Sequence, residues 1–258
     1  MAITFRSLPK GSTIGSGSYV FRHYGEKTVE IPDYLCFTAE QAGSNVAMVV
    51  TGTPTKGQAF EYSTDGINWS VFTPGTTRIT LANIGNKVYF RGDNITVSQS
   101  TSNYYKFVMS GKIAASGNIM SLLDKTCQST RISNNCCYFY MFSNCTSLTT
   151  APTLPATTLA SNCYDSMFYG CAHLTTAPAL PATTLASNCY NNMFYDCTRL
   201  QVYSSSETGH DKAWQIPTNG TASSYTSQSE MFYNCPGSYT SSSTVSLNTT
   251  FYTQNTPI

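Results

Sequence analysis

The sequence predicts a mainly β chain in two parts. An antiparallel β-sandwich of immunoglobulin-like size is expected at 28–112, and a solenoid of stacked 26-residue coils at 113–258. Three observations carry this. The eleven residues LPATTLASNCY occur twice, from Leu154 and again from Leu180. Met-Phe pairs and single Cys recur at the same 26-residue step around them, as stacking units do. The segment before them shows no such period and reads as short β-favouring runs between turn signals.

Residues 1–27 fit neither part. The run GSTIGSGSY is flexible by composition. Two readings stay open: an arm that anchors the chain in a larger assembly by adding a strand or threading a neighbour, or an inert leader.

From 28 to 112 the runs TVEIPDYLCFTA, NVAMVVTG, AFEYSTDGINWSVF, RITLANI, KVYFRG and YYKFVMSG are expected strands. Asp65-Gly66 is a two-residue hairpin signal of type I′. Pairing across it sets Thr64 opposite Ile67, Tyr62 opposite Trp69 and Phe60 opposite Val71, so every large apolar residue falls on one face. Trp69 is then the expected core aromatic, a sugar-stacking role being the alternative. Residues 111–124, GKIAASGNIMSLLD, are expected to form a first coil that caps the apolar end of the stack.

Within a unit, CTSLTT places a parallel strand with Leu148 inward, ending by Thr150 or Ala151 because Pro152 and Pro155 lack a ladder donor. The stretch LASNCYDSMFYGC is expected to return as two or three helical turns. Ser161 or Asn162 would be its N-cap, with i,i+4 pairs Cys163–Met167 and Tyr164–Phe168. The residue before the closing Cys is Asn144, Gly170, Asp196 and Asn234 in four copies, all types that tolerate left-handed backbone. The fourth copy, Met231-Phe232-Tyr233-Asn234-Cys235, lies 38 residues after Met193, one period plus an insertion of 12.

The unit NCTSLTTAPTLPATTLASNCYDSMFYGC resembles the BspA-type leucine-rich repeat over roughly residues 115–258. Shared features are a Cys-x-x-Leu strand start, a following Pro and a Met-Phe-x-x-Cys close. Two departures are the 26-residue length, where 23 is more usual, and the second Pro. The resemblance implies a leucine-rich-repeat solenoid serving as a non-enzymatic binding scaffold, adhesive as a rule, on surface proteins of Bacteroidetes, treponemes and some protists, with similar arrays in phage-encoded proteins. It implies no catalytic residues.

Nine of the ten Cys lie after residue 126, and most occupy repeat positions: 137, 163 and 189 in one column, 145, 171, 197 and 235 in another. The Cys-x7-Cys spacing matches no zinc pattern. The expectation is buried thiols packing as small hydrophobes; bridges near Cys127, Cys136 or Cys137 are the alternative. Of three His, His173 sits where sister copies carry Ser147 and Arg199, a variable surface position. No Ser/His/Asp ordering or phosphate loop has motif support, so neither enzyme activity, nor a cofactor, nor a metal site is expected.

The insertion at about 201–226 breaks the repeat and gathers Tyr203, Glu207, His210, Asp211, Lys212, Trp214 and Tyr225. Insertions in repeat proteins collect on one face, often the binding face. Tyr203, His210, Asp211, Trp214 and Tyr225 are therefore the candidate ligand-binding residues, for a sugar or protein epitope. In the alternative, Trp214 folds back to plug the widened coil. The Thr149/Thr175 and Thr150/Thr176 columns are a second candidate surface.

Lys and Arg number 14 against 13 Asp and Glu, a net charge of +1, which gives no electrostatic claim on nucleic acid. No run approaches the ~18 apolar residues of a spanning helix. Charged residues make up 10% of the chain, against ~25% in ordinary domains, the balance of outward-facing proteins. The first residues carry no apolar signal core. Together these favour a virion-surface component, a phage fibre, decoration or tail-tip protein. Its expected partners are other virion or surface proteins through the N-terminal arm and a host-surface or mucosal glycan or protein; homo-oligomerisation stays open. The alternatives are a secreted bacterial adhesin whose signal has been removed and a structural virion subunit without ligand.

Overall fold

The computed structural model describes residues 2–4, 28–30, 32–53, 58–182, 184–200, 202–203, 213–215, 230–235 and 251–253; the short segments 2–4, 28–30, 202–203, 213–215 and 251–253 are described as backbone. The chain is mainly β. In order, the strands are β1 (Ala2–Thr4), β2 (Thr28–Glu30), β3 (Leu35–Ala39), β4 (Ser44–Thr51), β5 (Phe60–Ser63), β6 (Ser70–Phe72), β7 (Arg78–Leu81), β8 (Lys87–Gly92), β9 (Tyr104–Ser110), β10 (Ile113–Ser116), β11 (Leu148–Thr150), β12 (Val202–Tyr203), β13 (Ala213–Gln215) and β14 (Phe251–Thr253). A 3₁₀ turn spans Ile119–Leu122.

Two larger sheets face each other across a shared core. One has six strands in the order β11-β10-β3-β8-β5-β6, the other three in the order β7-β4-β9. All pairs are antiparallel except β10–β11. In β8 the alternation of KVYFRG buries Val88 and Phe90 and leaves Lys87, Tyr89 and Arg91 on the other face. The buried faces of the two sheets share one core: Phe37 of β3 meets Phe90 of β8 at 5.6 Å and Phe107 of β9 at 4.9 Å, both edge-on. In the arm, β1 pairs with β2, Ile3 opposite Val29; the rest of 5–27 lies outside the described residues.

The Asp65-Gly66 hairpin departs from expectation by one residue. Phe60 pairs with Phe72, Glu61 with Val71 and Tyr62 with Ser70. The connection is a longer loop organised by the Asp65 carboxylate, which accepts from the Ile67 and Asn68 amides, the Asn68 side chain and the Ser63 hydroxyl. A one-residue slip exchanges faces, so Phe72 is buried while Val71 is 76% exposed. Trp69 is consequently not a core residue; it lies half-buried on the outer side of the six-stranded sheet.

The repeats stack against β9 and β10. Ile113 of β10 lies opposite Leu148 of β11 in parallel, and the β11 strand ends at Thr150, as the prolines require. The corresponding segments of the later copies are not extended into strands. Segment 111–124 is sandwiched as a first layer: β10 pairs with β3 on one side and β11 on the other, and Asn118 bridges Tyr34 and Thr153. Gly117 permits this, since its φ is 73° and a Cβ there would strike the Tyr34 carbonyl.

The expected helical arm is not a helix. Residues 136–145, 162–171 and 188–197 are runs of four-residue turns, and every fourth residue has left-handed backbone: Cys136, Tyr140 and Asn144; Asn162, Ser166 and Gly170; Asn188, Asn192 and Asp196; then Glu230 and Asn234. The residues before the closing Cys are thus left-handed as expected, with φ of 58–69°, but they are the last of a series and not a helix C-cap. Alternate amides turn back locally, as Cys163 to the Ala160 carbonyl and Met167 to Tyr164. The intervening amides donate across to the next copy: Tyr164 to Cys189, Ser166 to Asn191, Phe168 to Met193 and Gly170 to Tyr195, at 2.7–3.0 Å. A helix would have used every amide internally. Cysteine–methionine and tyrosine–phenylalanine pairs four apart satisfy a period of 4.0 as well as 3.6, so nine residues could not tell the two apart.

Stacking aligns side chains in columns. Phe107, Phe142, Phe168, Phe194 and Phe232 lie ring over ring at 5.4–5.5 Å, and Tyr138, Tyr164 and Tyr190 at 5.7 and 6.1 Å. Phe107 belongs to β9, so the column starts inside the three-stranded sheet. One buried apolar cluster accordingly runs from Leu35 to Cys235 without a break at residue 112.

Candidate functional site

The outer face of the six-stranded sheet carries a concave site that sequence reasoning missed. Register sets Ser116, Cys36 and Tyr89 in one row across β10, β3 and β8. Glu61 and Arg91 form the adjoining pair across β5 and β8. Around these a cleft of about 210 Å³ is lined by Pro32, Asp33, Tyr34, Cys36, Lys87, Tyr89 and Ser116, with Gly66 from the β5–β6 loop.

Tyr34, one of the lining residues, is fixed by a charge and ring network beside the cleft. Arg91 Nε donates to Glu61 Oε2 at 2.6 Å, and Lys125 Nζ to Glu61 Oε1 at 3.1 Å. The Arg91 guanidinium lies 3.9 Å from the Trp69 ring centre and 5.8 Å from that of Tyr34. Tyr34 and Trp69 meet edge-on at 4.8 Å. Partial burial would raise the Glu61 carboxyl, but hydrogen bonds from Arg91 and Lys125 outweigh it and hold the group below its ordinary value. Arg91 is held at both ends, by carboxylate and by aromatic ring, and so anchors Trp69 and Tyr34 beside the cleft.

At the cleft floor, burial pushes the Cys36 thiol up, against smaller opposing effects of Thr38, Lys87, Ser116 and Tyr89. Burial likewise raises the Tyr89 phenol. Both groups are protonated near neutrality and present weak or strong donors. Asp33 and Lys87 are exposed and have no described hydrogen-bond or ion-pair partner for their charged groups among the described residues.

The insertion residues chosen from sequence are placed in part. Tyr203 lies in β12 and Trp214 in β13, the outer strands of a three-stranded sheet whose central strand is β14. Tyr203 is opposite Phe251, and Trp214 opposite Tyr252. The fold thus brings these two segments to the flanks of one strand, while His210, Asp211 and Tyr225 lie outside the described residues. In the threonine columns, the Thr149 and Thr150 hydroxyls are already committed to the Ile113 and Ala115 carbonyls at 3.1 and 2.7 Å. His173 is exposed as expected, with Nδ1 2.6 Å from the Thr146 carbonyl oxygen.

None of the ten cysteines, all within the described residues, is in a disulfide. The turn column has a role beyond packing. Cys145 donates to the Phe107 carbonyl, Cys171 to Phe142, Cys197 to Phe168 and Cys235 to Phe194, each at 3.1–3.2 Å. Each thiol therefore reaches the layer before its own, opposite in direction to the amide ladder. Burial pushes Cys145 and Cys235 up to about 12, which keeps the donor proton in place.

No family model, curated protein or solved structure matches this chain.

Proposed function

We propose that this chain is a non-enzymatic recognition protein displayed on a surface, built as an antiparallel β-sandwich fused to a BspA-like leucine-rich-repeat solenoid. In this reading it is a phage virion component, a fibre, decoration or tail-tip protein that meets host-surface or mucosal glycans or proteins. The observation that carries the reading is the outer-face cleft, a preformed concavity whose lining residue Tyr34 is held from behind by Trp69, Arg91 and Glu61. The stack behind it supports the same reading, since rigid elements position a site better than loops do. The insertion around Trp214 is a second surface for the same task.

The test is binding of the purified protein to intact Bacteroidetes cells and to their extracted surface polysaccharides, beside Trp69→Ala and Trp214→Ala. Saturable binding that weakens about tenfold or more in either variant, as loss of a central aromatic contact does, supports the proposal. Absence of binding by the folded wild-type protein overturns it.

A second reading, a structural subunit whose repeats act as a spacer, is favoured by the unbroken column from Phe107 to Phe232. It predicts that the folded protein binds the particle and not the cell.

A further inference from the structure

We infer that the outer-face cleft takes a single neutral pyranose unit, the terminal or branching sugar of a glycan. This rests on the recognition reading above and names the ligand class of its site.

Size comes first. The cleft measures about 210 Å³. It is smaller than the ~300–1,000 Å³ of pockets for drug-sized ligands. That size suits one sugar ring seated in the cleft, with any further units of a glycan outside it.

Charge comes second. Arg91 and Lys125 share the Glu61 carboxylate, and the Asp65 carboxylate is taken up by four donors of its own loop. Among the described residues that line the cleft, the charged groups left to a ligand are one carboxylate, Asp33, and one ammonium, Lys87, of opposite sign. A ligand of either net charge would gain from one and be opposed by the other, whereas a polyol uses both: the carboxylate accepts from hydroxyls and the ammonium donates to them.

Surface chemistry comes third. The Tyr89 phenol and the Ser116 hydroxyl each donate or accept, while the half-buried rings of Pro32 and Tyr89 supply apolar surface on which the C–H face of a pyranose rests. Alternation of apolar wall and hydroxyl-bearing groups within one small concavity is the complement of a sugar, which carries both on one ring. The cleft is also preorganised: the buried Tyr34 beside it is held edge-on by Trp69, and Arg91 lies against both rings. Little side-chain freedom is lost on binding.

Saturation-transfer NMR on the full chain tests this, with glucose, galactose, mannose, fucose and N-acetylglucosamine as neutral probes, glucuronate and glucosamine as charged ones, and alanine as a zwitterion. Asp33→Ala and Lys87→Ala change exposed side chains and leave the fold intact, checked by circular dichroism; Tyr89→Phe removes one hydroxyl. Transfer to at least one neutral sugar is expected, weakened about tenfold in Asp33→Ala and in Tyr89→Phe. Transfer to none of the neutral sugars, to charged sugars or alanine instead, or undiminished transfer in all three cleft variants overturns the inference. Cell binding by the same variants is measured in parallel. Retained, saturable cell binding beside a silent cleft refutes the ligand assignment while leaving the recognition function standing; loss of both refutes the two together.

Discussion

If the thiol of Cys171 acts as a hydrogen-bond donor, its replacements should rank in an order that simple packing does not give. The side chain is fully buried and its Sγ lies 3.1 Å from the Phe142 carbonyl, which also accepts from the Cys145 amide at 2.9 Å. Cys171→Ala deletes one heavy atom. The transfer loss is ~0.8 kcal/mol, and a water-sized hole of ~30 Å³ adds ~0.7 kcal/mol. The carbonyl keeps one partner and loses a weak second one, ~0.5 kcal/mol. The expected cost is about 2 kcal/mol, or about 4–8 °C in melting temperature at this chain length. Cys171→Ser loses the polarisable sulfur but keeps a donor aimed at the same oxygen, so its cost should be about 1 kcal/mol. Thermal and urea unfolding of the two variants beside wild type decide the matter. If Cys171→Ala proves as stable as Cys171→Ser or more so, the thiol is a filler and the donor ladder has no energetic role.

Three further outcomes are expected. Burial raises the Asp165 carboxyl, opposed by hydrogen bonds from Ser166 and Asn191, so ionisation costs stability as pH rises above the unfolded value near 4. Asp165→Asn, which copies the Asn191 of the next coil, should raise the melting temperature at pH 7–8 and have little effect at pH 3; a lower melting temperature at pH 8 would refute this. The repeat thiols Cys137, Cys145, Cys163, Cys171, Cys189, Cys197 and Cys235 are all raised by burial, Cys137 to about 11 and Cys189 to about 12. Their stabilisation is full below the unfolded thiol value and lost above it at about 1.4 kcal/mol per pH unit for each thiol, so circular dichroism should show unfolding within about two pH units above 9, and native signal at pH 12 would contradict it. Hydrogen bonds from the Asn68 and Ile67 amides, the Asn68 side chain and the Ser63 hydroxyl hold the exposed Asp65 carboxyl well below the usual range; its contribution is present above pH 4 and fades below. Asp65→Asn, which keeps one acceptor oxygen, should therefore melt above Asp65→Ala at pH 7, and equal melting temperatures would mean the loop does not need the carboxylate side chain.

Much of the architecture could be read before any coordinates. The 26-residue step, the twelve extra residues before Met231 and the left-handed positions at Asn144, Gly170, Asp196 and Asn234 follow from residue types that leave little choice of backbone. The β7, β8 and β9 strands follow from alternation that the core enforces, and β3 and β4 from runs of buried apolar residues. What failed did so where two periods or two registers are nearly degenerate. The turn arm imitates helical spacing because pairs four apart satisfy both, and its decisive bonds go to a neighbour 25 residues away. The hairpin register was set by Asp65-Gly66 alone, while the stronger signal was Asp65 followed by Asn68, which makes a loop that the carboxylate organises. That single slip hid the cleft, because it turned Trp69 inward on paper and separated it from Arg91 and Tyr34. Phe60 facing Phe72, a pair of matched aromatics, would have corrected the register.

The amide ladder has a consequence for how such a chain can change over generations. Each coil gives its intervening amides to the next and accepts the same set from the one before, so adjoining coils meet through interchangeable surfaces. Unequal exchange between two gene segments encoding LPATTLASNCY would delete or duplicate one whole coil and rejoin like to like. The molecule would then lengthen or shorten in steps of about 5 Å, the spacing of hydrogen-bonded strands, with its cleft unaltered at one end. Reach, in such a protein, can be inherited as a number of copies.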